Sequence, residues 1–100
     1  MNRLTRKQGN GSVGYQVDSQ QIQPLEEGYG GEAVERLAKL ENLWEDLEQK
    51  QKEISQKLEQ LRGEGRTKSA QFRELMGKKL SNSYVLALFK DYEIDGESKK

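Results

Sequence analysis

From Glu32 to Arg62 the chain contains neither glycine nor proline, and Leu, Glu, Lys, Gln and Ala dominate the run. These are strong helix formers, and so long a stretch leaves little alternative to one continuous helix. A heptad register fits it: Ala33 at d, Leu37 at a, Leu40 at d, Trp44 at a, Leu47 at d, Gln51 at a, Ile54 at d, Leu58 at a and Leu61 at d. Every position but Gln51 is apolar, the pattern of a coiled-coil or bundle helix about 46 Å long at 1.5 Å per residue. Leu43 adds a g position, so around Leu40, Leu43, Trp44 and Leu47 the stripe is wide enough to meet two neighbours. The bulk of Trp44 at an a position points the same way. Gln51 has two readings, a residue that fixes register or one at a loose, wet point of the seam. In a parallel pair Arg36 would attract Glu41, but Lys57 would repel Arg62, which favours an antiparallel or intramolecular partner.

The run ends in Arg62-Gly63-Glu64-Gly65, with Gly63 placed as the residue just past the helix and Gly65 adding a turn. Thr67 or Ser69 can cap a second helix, whose apolar stripe is Phe72, Leu75, Met76 and Leu80. Ser81-Asn82-Ser83 reads as a break with a cap, followed by a third helix carrying Val85, Leu86, Leu88, Phe89 and Tyr92. Folded back, Phe72, Leu75, Met76, Leu80, Val85, Leu88 and Phe89 cover Ile54, Leu58 and Leu61. Leu37, Leu40, Leu43, Trp44 and Leu47 are then left without a cover. An exposed apolar stripe of that size predicts self-association, with Leu37, Leu40, Leu43, Trp44, Leu47 and Ile54 as its residues.

The first 31 residues are punctuated by Gly9, Gly11, Gly14, Gly28, Gly30 and Gly31, and Pro24 is the only proline in the chain. Val13, Tyr15 and Val17 alternate with polar residues, the period of a half-buried strand. A lone strand is unstable, so this segment is either an ordered arm with one or two short strands or a hairpin, or a mobile tail. The expected fold is mainly all-α: a glycine-rich arm (1–31), a long heptad helix (32–62), two short helices packed back on it (66–94) and a disordered tail (95–100).

Charged residues make up 34% of the 100-residue chain and hydrophobic ones 32%. A chain this short buries only about 60–65% of its unfolded surface even with an adequate core, so part of the core is expected from another chain. With no Cys and no His, disulfide frameworks, Cys/His zinc sites, iron–sulfur clusters and Cys- or His-based catalytic triads are excluded. No apolar run approaches the roughly 20 residues of a membrane span, and the basic start lacks the apolar stretch of a secretory signal. The expected location is the cytoplasm, and no cofactor is expected.

Lys+Arg and Asp+Glu balance at 17 each, which argues against general nucleic-acid affinity. The balance is local in neither half. Residues 17–35 are acidic, and Arg62, Arg66, Lys68, Arg73, Lys78 and Lys79 form a basic stretch. These six are the candidate residues for binding an acidic partner or an anion, against the plainer reading of a solvated face. Helix-spaced carboxylates such as Glu41 and Glu45 lack the His that bundle metal sites pair with Glu. The glycine-rich segments lack the Lys-Ser/Thr of a phosphate loop. No enzymatic chemistry emerges.

Met1-Asn2-Arg3-Leu4-Thr5 with its glycine-rich continuation, Leu25-Glu26-Glu27 and Glu35-Arg36-Leu37-Ala38-Lys39-Leu40-Glu41 resemble the openings of small phage- and prophage-encoded proteins of Gram-positive bacteria. Gly65-Arg66-Thr67-Lys68-Ser69-Ala70-Gln71-Phe72-Arg73-Glu74-Leu75-Met76, continued by Lys79-Leu80, resembles their C-terminal halves. The resemblance brings no catalytic motif. It implies a setting in which small helical proteins act on host machinery, including antiviral defence. The expectation is therefore a non-enzymatic helical interaction protein that forms dimers or larger oligomers and inhibits a host protein. The alternatives are an oligomeric sponge for an anionic signalling nucleotide and a small nucleic-acid-binding regulator.

Overall fold

The computed structural model describes residues 1–9 and 14–96. The fold is not mainly all-α. Two short antiparallel hairpins precede two helices, a mixed α+β arrangement. The chain divides into two compact units, Met1–Glu41 and Asn42–Lys100, and the division falls inside the long helix.

In the first unit β1 (Thr5–Lys7) pairs with β2 (Tyr15–Val17), with Thr5 opposite Val17 and Lys7 opposite Tyr15. Gln8 N–H donates to the Gly14 carbonyl at 3.1 Å and extends the pairing into the loop. Val13, expected in this strand, lies outside the described residues. A single 3-10 turn, Ser19–Gln21, leads to β3 (Gln23–Leu25), which pairs with β4 (Gly28–Gly30) across Glu26-Glu27. A two-stranded sheet presents only edges, so Pro24 costs it no interior ladder bond.

Gly31 joins β4 to α1 (Glu32–Gly63). Its carbonyl accepts from Glu35 N–H at 3.0 Å, the first bond of the helix, and its φ is +111°. A Cβ here would lie 2.7 Å from the Gln21 carbonyl oxygen, so only glycine fits. No side chain of this unit is fully buried among the described residues.

The second unit is a helical hairpin. α1 closes with Gly65 N–H donating to the Arg62 carbonyl and Arg66 N–H to the Leu61 carbonyl, at 3.0 and 2.9 Å. This is a Schellman ending, and the left-handed residue is Gly65, at φ +70°, two residues beyond the expected Gly63. Ser69 caps α2 (Ala70–Asp91), its Oγ accepting from Phe72 N–H at 3.1 Å.

α2 is one helix of 22 residues, not two short ones. The expected break at Ser81-Asn82-Ser83 is absent: the helix runs through it, with Asn82 half-buried and the Ser83 hydroxyl meeting α1. Gln51 Nε2 donates to the Lys79 carbonyl at 3.2 Å and to Ser83 Oγ at 2.9 Å. Besides Met76, Val85 and Leu88, which are half-buried as expected of covering residues, the half-buried or buried positions of α2 are Phe72, Leu75, Lys79, Asn82, Leu86 and Phe89. These last six repeat at alternating steps of three and four. Leu80, expected among the covering residues, falls one residue out of that phase and is 67% exposed. Among the described residues the buried core consists of Leu58, Leu61 and Phe89.

Candidate functional site

The residues expected to mediate self-association fall into two groups. Leu37, Leu40 and Leu43 are exposed by 53%, 36% and 45%. Trp44, Leu47 and Ile54 are half-buried in the hairpin. The unbroken α2 reaches further along α1 than two short helices would. It brings Phe89 to Trp44, with ring centroids 6.4 Å apart and planes at 60°, a tilted aromatic contact. Trp44 thus has a cover that the sequence did not reveal. Ile54 lines an open groove of about 440 Å³ with Leu75, Lys50, Glu53, Lys78 and Asn82.

Within the first unit, Leu37 and Leu40 line a second open groove of about 530 Å³ with Met1, Leu4 and Ala33, edged by Arg3, Thr5 and Arg36. The N-terminal segment is held there by Arg36, whose guanidinium donates to the Asn2 carbonyl. Arg3 donates to the Thr5 carbonyl at 3.0 Å and lies 5.6 Å from the centre of the Tyr15 ring. Arg6 pairs with Asp18 at 2.7 Å on the open surface. The sequence did not flag Met1 and Leu4 as groove residues, because neither belongs to a periodic run.

The basic candidates do not share one surface role. Arg62 lies over the Phe72 ring at 5.4 Å and reaches Glu59 at 3.6 Å, and Arg66 reaches Glu64 at 3.5 Å. Arg73 donates to the Lys68 carbonyl at 3.2 Å. These three arginines, with Lys68, flank the α1–α2 turn or the start of α2. Lys78 and Lys79 lie further along α2, Lys78 on the groove with Ile54 and Lys79 half-buried on the seam. Among the described residues no group of three or more acidic side chains is gathered as a metal site requires. No helix among them is long and apolar enough to cross a membrane. No known protein family matches the chain, and no curated protein or solved structure is significantly similar to it.

Proposed function

We propose that this is a non-enzymatic helical interaction protein of the cytoplasm that self-associates and acts by binding another protein. The observation that carries the reading is the mismatch between buried and exposed apolar surface. Three hydrophobic side chains are buried among the described residues, while Leu37, Leu43, Leu80 and Tyr84 are each at least 45% exposed. A two-helix hairpin with so small a core lacks the buried area that offsets chain entropy, and association supplies the missing burial. The choice of a host protein as the second partner, and of inhibition as the mode of action, rests on the sequence-level resemblance of residues 1–5, 25–27, 35–41 and 65–80 to phage- and prophage-encoded proteins alone.

The anion-sponge and nucleic-acid readings have weaker support, since Arg62 and Arg66 already face Glu59 and Glu64. Sedimentation equilibrium and thermal unfolding over a concentration series test the main reading. A mass above one chain and a Tm that rises with concentration are expected. A concentration-independent monomer with a sharp unfolding transition would overturn it.

A further inference from the structure

The face of α2 turned away from α1 carries a second heptad series: Arg73, Gly77, Leu80, Tyr84, Ala87 and Asp91. All six residues are exposed, Leu80 and Tyr84 by 67% each. We infer that this face pairs with the same face of a second copy, antiparallel about a two-fold axis midway between Leu80 and Tyr84, at the level of Asn82 along the helix. The inference rests on the self-association proposed above and names its surface.

Three features converge on a second copy as the occupant. The first is self-complementarity. Antiparallel pairing about Asn82 sets Leu80 against Tyr84 of the partner, Gly77 against Ala87, and Arg73 against Asp91, and the symmetry makes each contact twice. The centre is then apolar, the flanks are small, and both ends carry opposite charges. A parallel arrangement in register would instead set Arg73 against Arg73 and Asp91 against Asp91.

The second feature is the placement of those charges. Arg73 lies at the end of the first turn of α2 and Asp91 is its last residue. Each sits at the helix end where its own macrodipole disfavours it, and each would be favoured beside the opposite end of an antiparallel neighbour. Among the described residues Asp91 has no ion pair.

The third feature is Gly77. A glycine inside a helix costs about 0.5–1 kcal/mol relative to alanine. A Cβ at Gly77 would meet nothing within 4 Å, so packing inside the chain does not require it. A helix approaching closely on this face would occupy the space that a side chain at Gly77 would otherwise fill. The paired segment, Arg73 to Asp91, is about 27 Å long at 1.5 Å per residue.

Sedimentation equilibrium of the full chain, with helix content followed by circular dichroism, tests the assignment. Leu80→Glu places two carboxylates in the apolar centre and is expected to weaken the dimer at least about 100-fold, with helix content retained. Leu37→Glu, in the other unit, is expected to weaken dimerisation far less than Leu80→Glu does, and Tyr29→Glu, at a 66% exposed site of that unit, is expected to leave it unchanged. Arg73→Asp and Asp91→Arg each set like charges together at two places and are expected to weaken the dimer about tenfold. Both substitutions together recreate the pair reversed and restore the affinity to within about threefold. These two positions are exposed, so the charge series reads out even if Leu80→Glu fails to fold.

A dimer dissociated by Leu37→Glu but indifferent to Leu80→Glu would overturn this surface and leave self-association standing. Single swaps that weaken the dimer without rescue by the double swap would overturn the antiparallel pairing. A monomeric parent chain would remove both proposals.

Discussion

Replacing Gln51 with leucine probes what holds α1 to α2. Gln51 is half-buried, and its amide nitrogen supplies both hydrogen bonds to α2. Its Oε1 is buried and has no hydrogen-bond partner among the described residues. An unpaired buried acceptor costs about 1–3 kcal/mol, and leucine removes it. Leucine also adds apolar burial of about 1 kcal/mol at a half-buried position. Against these gains stand two hydrogen bonds of about 1 kcal/mol each. Neither α2 group is stranded by the change, because the Ser83 hydroxyl can turn back to the Lys79 carbonyl one turn earlier in its own helix. The balance is a gain of about 1 kcal/mol, a rise in Tm of roughly 4–8 °C for a chain of this size.

Circular dichroism melts at one fixed protein concentration measure it, since association also moves Tm. Gln51→Glu provides the opposite arm. A carboxylate cannot donate to the Lys79 carbonyl, and it brings a charge into the seam, so Tm is expected to fall. A lower Tm for Gln51→Leu, in a variant that keeps its helix content, would refute the reasoning. The polar layer would then be a net stabiliser of the hairpin and not a cost carried for register.

Two glycines with positive φ separate steric from conformational strain. Gly31→Ala drives a Cβ to 2.7 Å from the Gln21 carbonyl oxygen and 2.9 Å from Ile22 Cα, and should cost more than about 2 kcal/mol and abolish the β3–β4 amide shifts in an NMR spectrum. Gly65→Ala meets open space at φ +70° and should cost only about 1–2 kcal/mol in a urea melt. Ser69→Ala removes the cap of α2 and should lower stability by about 1 kcal/mol, with Ser69→Asp close to neutral in the same melt. Leu58→Ala empties a fully buried position, at 0% exposure, and should cost about 2–5 kcal/mol, enough to populate unfolded chains before denaturant is added.

The long helix was legible because its seam is apolar almost throughout, and burial follows that seam from Trp44 to Leu61. The hairpins were only partly legible. Thr5-Arg6-Lys7 is polar and fully exposed, so no hydrophobic alternation marks it as a strand. β3 and β4 are three residues each, too short to show a period, and their turn is Glu26-Glu27, which carries none of the usual hairpin residues. The glycines Gly28 and Gly31 were the available signal. Read as punctuation they suggest an irregular arm, and only the Gln21–Ile22 backbone packed against Gly31 shows why one of them is required.

α2 was misread for a reason that bears on function. Its middle is inverted: Lys79 and Asn82 face α1 while Leu80 and Tyr84 face outward. A stripe traced through the apolar residues therefore jumps from one face to the other at Leu80, and the intervening polar residues look like a helix break. The inner half of this inversion meets a polar residue at the matching point of α1, where Gln51 donates to the Lys79 backbone carbonyl and to the Ser83 hydroxyl. The outer half has no such counterpart among the described residues of one chain. A helix that served only an intramolecular hairpin would gain by exchanging Lys79 and Leu80, placing the leucine on the seam and the lysine in water. The arrangement actually present leaves Leu80 and Tyr84 outward at the centre of α2, the apolar surface that the proposed pairing with a second copy would use.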